Sequence, residues 1–418
     1  MQLELPDATA RARSARGSRK LRVLFTSLAP LFPPSNGQRL RNLGILTALI
    51  RMGHKVTLVC FSDEQSAASP GRPEYLPGLE TIFVPLPDGH SRWSQLWSRA
   101  SALTGPLPSG VRRLHSIQMR TTIQAYLARE HFDVMICDDV YNMQNLPITG
   151  EVPVLLNKHD LTHEILERFK RWQPNPLKAI YLAMESKKVR HLEQWACSQV
   201  PGVLACSNRD AQALNRLSPS ARIWVVPNVI DLENYSPTAL EDNMSVLYVG
   251  AMDWYPNCDA VDFFISQILP RIKNRVPQVK FVVAGRNPPA KLRRRYASYL
   301  NVRFTGSMPD LRAEIERAAV CVVPLRIGSG TRLKILEAAA MRKPVVSTHI
   351  GAEGLEFVEG CELLLADEPE HFAAAVIDLL RDQERRRALG AAARTKVTEQ
   401  YSVEALFAPL TSALASVC

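Results

Sequence analysis

The chain has 418 residues, 46% of them hydrophobic and 22% charged, a composition that excludes a disordered protein and a length that calls for two cores rather than one. With 51 Lys+Arg against 41 Asp+Glu the net charge is +10, which favours an anionic partner without separating nucleic acid, phospholipid and phosphorylated metabolites. No stretch approaches the ~18 apolar residues of a spanning helix, and the basic start around Arg11, Arg13 and Arg16 leads into too short an apolar run for a secretory leader. Eight cysteines without CxxC or zinc spacing read as reduced, buried thiols of a cytoplasmic protein.

Residues 1–20 lack a hydrophobic period and read as a basic tail. From Leu21 the pattern turns to α/β, with a β-rich run Leu21–Ser27, a helix over 37–52 and a strand over His54–Phe61, the opening of a parallel sheet. Further strands are expected near 80–85, 132–137, 153–157, 202–205 and 222–226, with helical stretches such as 176–199 between them. After Pro227 and Pro237 a second series begins, with strands at 245–250, 279–285, 301–304, 320–324, 344–347 and 361–365. Helices near 257–274, 309–318, 331–341 and 368–381 alternate with them. Two such series predict two doubly wound, Rossmann-like α/β domains facing one another across a cleft, over 21–235 and 236–398. A helical segment over 399–418 follows, and composition leaves open whether it returns to the first domain.

The densest motif is Val322–Ser347. A buried strand enters Gly328-Ser329-Gly330 and then a helix with Thr331 as its expected N-cap, so unpaired amides and the positive helix end converge where a phosphate fits. At ~100° per residue Leu333, Leu336 and Ala340 share the buried face, whereas Lys334 and Glu337 lie about 60° apart along its edge and Arg332 points elsewhere. A cation near phosphates and a carboxylate accepting from ribose hydroxyls is what a nucleotide requires; the alternative is an i,i+3 ion pair on a surface helix. In the first series Asn36-Gly37 ends the loop after the first strand, where glycine lets the backbone approach an anion at a helix start or makes an ordinary turn. No GxGxxG follows that strand, which argues against a dinucleotide cofactor. The strand at 153–157 delivers Lys158, His159 and Asp160 to the sheet edge that faces a ligand, with Asp160 expected to cap a helix beginning at Leu161. His159 alternatively reads as a loop histidine bonded to backbone. Asp138-Asp139 ends a strand without a second acidic partner at metal-binding spacing and reads as a helix cap or solvated turn.

The stretch Val322–Ser347 resembles the nucleotide-sugar-binding loop and helix of GT-B glycosyltransferases, in particular the large retaining family 4, the glycosyl transferases group 1. Pro33-Pro-Ser-Asn-Gly37 with Arg39 and Arg41, Gly53-His54, Val226-Pro-Asn-Val-Ile-Asp231, Val249-Gly-Ala-Met-Asp253, Val283-Ala-Gly285, Val302-Arg-Phe-Thr-Gly306 and Lys343-Pro-Val-Val346 extend the resemblance over about 21–415. Their order and spacing carry it, not any one piece. The resemblance implies that Gly37 touches the donor diphosphate and that His159 lies near the donor sugar, where an imidazole bonds a hydroxyl or the developing charge. Two departures stand out. Of the family's two glutamates eight positions apart, Glu337 matches the second while Ser329 occupies the first, leaving loop amides to fill that space. The Arg and Lys that clamp the diphosphate are also replaced, because Gly250 is followed by Ala251-Met252-Asp253-Trp254. Arg286, Arg326 and Lys334 are the substitutes, Lys334 first because it lies beside Glu337.

Residues 92–120 interleave Arg92, Trp93, Trp97, Arg99, Arg112, Arg113, His115 and Arg120, in the part of the first domain that GT-B enzymes present to acceptors and membranes. Such a stretch suits a lipid headgroup layer. Lys291–Arg295 reads equally as a solvated helix face, and no nucleic-acid module accompanies the charge. The resulting expectation is transfer of a sugar from a nucleoside diphosphate sugar to a glycan or lipid-linked glycan, with retention and without a metal or other cofactor, in polysaccharide or glycoconjugate synthesis. It is placed in the cytoplasm with peripheral contact at the anionic inner face of the plasma membrane. His159, Lys334 and Arg286 are the expected catalytic residues, and Gly37, Ser329, Gly330, Thr331, Glu337 and Arg326 the expected donor-binding ones. The rivals are a sugar-nucleotide epimerase of the same fold, for which no second set of acid/base carboxylates is identified, and a non-catalytic nucleotide-sugar-binding partner of a synthase complex.

Overall fold

The computed structural model describes residues 19–32, 34, 36–62, 76–87, 105–148, 150–237, 243–308, 310–328 and 330–418. The tail over 1–18, Pro33, Ser35, Arg92, Trp93, Trp97, Arg99 and Ser329 lie outside the described residues. The chain divides into two units, Met1–Asn228 with Val403–Cys418, and Val229–Ser402.

The first unit is built on seven parallel strands: β1 Arg22–Ser27, β2 Lys55–Ser62, β3 Leu79–Pro85, β4 Val134–Asp138, β5 Val154–Lys158, β6 Gly202–Ala205 and β7 Ile223–Val225. Their spatial order is β3-β2-β1-β4-β5-β6-β7. β4 and β5 are buried at every position, as expected of parallel strands covered on both faces. The helix Gly37–Arg51 starts where the Asn36 side chain accepts from the Arg39 amide at 2.9 Å, and it buries Ile45, Leu46, Ala48 and Leu49. Its Arg41 is fully buried and donates to Asn157 Oδ1 (2.9 Å), the Val226 carbonyl (2.7 Å) and Asn228 Oδ1 (2.9 Å), pinning the helix to the carboxyl edge of the sheet. The closing helix Phe407–Ala415 packs within this unit against Gly37–Arg51 and β7, and Arg51 pairs with Glu404 at 2.7 Å.

The second unit carries six parallel strands: β8 Ser245–Val249, β9 Lys280–Ala284, β10 Val302–Gly306, β11 Val320–Val323, β12 Val345–Ser347 and β13 Leu364–Leu365. They lie in the order β10-β9-β8-β11-β12-β13. Phe264 anchors the core, 4.3 Å from the Phe281 ring and edge-on to Phe372 at 6.1 Å. The single helix expected over 257–274 is instead two α segments, Tyr255–Phe263 and Leu269–Arg275, joined by a π turn at Phe264–Ile268. Pro270 explains the change, since it cannot donate to the carbonyl four residues back and the ladder widens before it. Each sheet reverses its strand order once, between β1 and β4 and between β8 and β11, and ligands of such sheets bind outside the strands' carboxyl ends at that point.

Candidate active site

In the second unit the loops after β8 and β9 press together. Gly250 N donates to the Ala284 carbonyl and Met252 N to that of Arg286, both at 2.9 Å. A Cβ on Gly285, at φ +150°, would collide with the Gly250 carbonyl oxygen, so this approach admits only glycine. Gly250 faces Lys334, whose ammonium donates to Tyr248 Oη at 2.9 Å and Asn257 Oδ1 at 3.1 Å and lies 4.3 Å from the centre of the Tyr248 ring. Asn257 Nδ2 donates to the Ala251 carbonyl at 2.8 Å, which orients the amide. Burial first, then repulsion from Arg332, lowers the Lys334 ammonium to about 7 against the pull of Glu337.

The helix carrying Lys334 runs Leu333–Ala340, with Arg332 rather than Thr331 at its N-cap and no side-chain cap bond. The later start follows from Gly330 at φ +74° and from the Arg332 guanidinium, which donates to the Gly330 carbonyl and, at 3.5 Å, to that of Ile350. These bonds hold Arg332 extended, which moves the cap one residue on. Lys334 and Glu337 do not turn to one another. Glu337 accepts from Tyr235 Oη at 3.0 Å, and burial raises its pKa although Tyr235 and Lys334 oppose the rise. Arg286 lies at the same strand edge in an exposed pair with Asp253 (3.2 Å). Arg326 is forked onto both oxygens of Asp259 (3.0 and 2.6 Å), on the helix that carries Asn257, with its guanidinium 4.5 Å from the Phe263 ring centre. Thr331 is buried beside Gly330, and the Ser329 between the two glycines is not described.

In the first unit Asp138 is no solvated turn. It is fully buried at the end of β4 and accepts from Ser27 Oγ (3.1 Å), Gln38 Nε2 (2.8 Å), Asn42 Nδ2 (2.7 Å) and Asn157 Nδ2 (3.3 Å). The parallel register that sets Asp138 beside Asn157 assembles this cradle. Burial works against the carboxylate, but His159, Asn42 and Gln38 hold its pKa below the usual range. Asp139, at φ +72°, does cap a turn, accepting from the Tyr141 amide at 3.0 Å. His159 follows β5 and is ringed by acids: Nε2 is 3.4 Å from Asp139 Oδ2 and 3.7 Å from Asp160 Oδ2, and Nδ1 is 3.7 Å from Asp138 Oδ1. Burial disfavours its charge, yet Asp160, Asp138 and Asp139 together push its pKa to about 9, so the ring is cationic at neutral pH. Carboxylates rather than backbone surround it.

Asp160 does not cap the next helix. That helix is Thr162–Arg171 with Leu161 at its N-cap, Asp160 accepts from Thr162 Oγ1 (2.9 Å), and the Thr162 amide donates to Glu193 (2.9 Å). Glu193, fully buried on the helix Pro176–Ser198, also pairs with Lys158 at 2.9 Å and with His163. Gly37 is exposed at the first turn of its helix. Tyr235, Tyr248, Asn257 and Glu193 escaped the sequence reading; only Asn257, set just after a helix-opening Pro256, carried a local signal. Among the described residues no group of three or more His, Cys, Asp or Glu is placed to hold a metal ion.

Residues 35–234 match the family described as Glycosyltransferase Family 4 and residues 243–382 the family described as Glycosyl transferases group 1. A Klebsiella pneumoniae protein described as an uncharacterized 44.6 kDa protein in cps region is 21% identical over 401 residues, covering 93% of this chain and 98% of its own length. Sucrose-phosphate synthase from Thermosynechococcus elongatus superposes with a TM-score of 0.69 at 20% identity, over 95% of this chain and 98% of that one. Anabaena HepE in complex with UDP and glucose gives 0.66 at 14% identity, over 95% and 100%. The two family matches run through both units, each with its doubly wound sheet, and the chain therefore belongs to the family 4, group 1 glycosyltransferases of GT-B fold.

Proposed function

We propose that this glycosyltransferase moves a sugar from a nucleoside diphosphate sugar to a hydroxyl of a glycan or lipid-linked glycan, with retention and without a metal, at the cytoplasmic face of a membrane. The observation that carries the donor side is Lys334, held by Tyr248 and Asn257 at the carboxyl edge of the second sheet with Glu337 one turn further along the helix. Lys334 meets the diphosphate, aided by the Gly330 and Thr331 amides and by Arg286, and Glu337 accepts from ribose hydroxyls. The loop amides serve in place of the missing first glutamate. Arg326 supports the fold of this edge through Asp259. In the first unit, the cationic His159 serves a sugar hydroxyl or the charge that develops on the departing diphosphate, and Gly37 supplies an amide to an anionic group.

Rate enhancement on this reading comes from positioning and from stabilising the leaving diphosphate. The UDP and glucose of the HepE complex support a donor of this class. The test is a panel of nucleotide sugars offered to the purified protein, with binding and nucleoside diphosphate release measured with and without glycan acceptors. Failure of every nucleotide sugar to bind would refute the proposal.

A further inference from the structure

The helix Pro176–Ser198 is apolar on two faces. Leu182, Val189, Ala196 and Cys197 face inward, and both of the helix's carboxylates are drawn inward with them. Glu185 accepts from Ser109 N and Ser109 Oγ, both at 2.6 Å, and Glu193 binds Lys158. On the far side Leu177 is 76% exposed, Ile180 57%, and Met184 and Trp195 are exposed too. At ~100° per residue Leu177 and Met184 lie within about 20° of one line with Ile180 about 60° to one side, and further along the same line Lys188 and the exposed His191 precede Trp195. A surface helix ordinarily shows a single apolar stripe, facing the core.

The outward stripe is set in positive charge. Lys178 and Lys187, both exposed, flank it on opposite sides. Ser109 brings the short helix Ser109–Leu114 alongside, with the exposed Arg112 and Arg113, and Leu107 before it is exposed as well. With Glu185 and Glu193 turned inward, the helix offers no outward carboxylate to neutralise these cations.

We propose that the outward face of Pro176–Ser198, with Leu107, Arg112 and Arg113, docks the protein on an anionic lipid bilayer. Aliphatic side chains enter the acyl boundary while lysines and arginines meet lipid phosphates. Charge argues against a second copy as the occupant, because a two-fold contact would set Lys178, Lys187, Arg112 and Arg113 against their own equivalents. The inference deepens the acceptor side of the proposed function and rests on it for the membrane's purpose. It keeps Arg112 and Arg113 of the basic stretch 92–120, whose Arg92, Trp93, Trp97 and Arg99 lie outside the described residues.

The test uses the full chain with vesicles of phosphatidylcholine alone or mixed with phosphatidylglycerol, at low and physiological salt. Binding is expected only to the anionic vesicles and should weaken as salt rises. The triple variant Leu177→Ser, Ile180→Ser, Met184→Ser and the quadruple variant Lys178→Gln, Lys187→Gln, Arg112→Gln, Arg113→Gln should each lose roughly tenfold or more in vesicle affinity. All these positions are exposed or flank the core, so thermal melting should stay at the parent value. Leu300→Ser with Arg293→Gln and Arg294→Gln, exposed in the second unit, should leave binding unchanged. No vesicle binding by the parent, equal loss in the control, or a change in sedimentation mass in place of a change in vesicle binding would overturn the proposal. Nucleotide-sugar binding, measured without vesicles, is expected to persist in both docking variants; its absence from the parent would instead refute the donor reading and leave the vesicle result standing.

Discussion

Lys334 is the side chain on which the donor site can be tested most sharply, because its charge changes near neutral pH. Burial and Arg332 bring the ammonium down to about 7 in the unliganded protein, while Tyr248 and Asn257 offer it only neutral partners. A bound diphosphate supplies the missing negative charge and restores a high pKa, so binding takes up a proton above pH 7. The sign follows: affinity is highest below about pH 7 and falls as pH rises through it. If the bound-state pKa lies above about 9, the dissociation constant should rise about tenfold between pH 6 and pH 8. The diphosphate of a nucleotide sugar is a diester whose own charge is constant over that range, so calorimetric titration with a nucleotide sugar isolates the protein's contribution. Lys334→Met should cost roughly 1.5–3 kcal/mol of donor affinity at pH 6, about ten- to a hundredfold, and should flatten the profile. Its melting temperature at pH 6 should be no lower than the parent's, since the substitution removes a buried charge; that destabilising charge is fully present below pH 7 and is relieved between about 7 and 10.5. Asn257→Ala, which leaves the charge but removes one of its holders, should weaken binding and shift the midpoint. A parent profile flat from pH 6 to pH 8, or one that survives Lys334→Met, would refute the assignment.

Glu337→Ala should weaken nucleotide affinity by about 1.5–3 kcal/mol with the fold retained, and unchanged affinity in the same titration would remove it from the donor site. Arg326→Met should lower stability to denaturant by roughly 1–2 kcal/mol through loss of the Asp259 fork, with a smaller effect on donor affinity than Lys334→Met; the opposite ranking would return Arg326 to the donor. His159→Gln should lower the melting temperature at pH 6 more than at pH 9.5, because a histidine raised to about 9 contributes stability that is complete below its unfolded value near 6.5 and is lost as pH passes 9. Activity should persist in excess chelator, and rescue of a chelator-inactivated enzyme by Mg²⁺ or Mn²⁺ would revive Asp138 and Asp139 as metal ligands.

Features encoded over a few residues could be read from the sequence alone. Parallel strands buried on both faces appear as short apolar runs such as Val134–Asp138 and Val320–Val323, and the alternation of such runs with helical periods determined two doubly wound sheets. Lys334 and Glu337 share a helix, so periodicity alone placed them along one edge. What each then touches was decided only by the tertiary fold. Lys334 finds Tyr248 and Asn257 at sequence separations of 86 and 77, and Glu337 finds Tyr235 at 102, in place of the ion pair that local spacing offered as the alternative. Asp138 looked like a surface turn because its cradle comes from Gln38, Asn42 and Asn157, separated from it by 100, 96 and 19 residues. Asp160 lost its capping role to Glu193, brought in from a neighbouring helix. Backbone periodicity fixes which face a residue occupies, but strand order and helix packing choose its partner across the sheet, and charge state follows the partner.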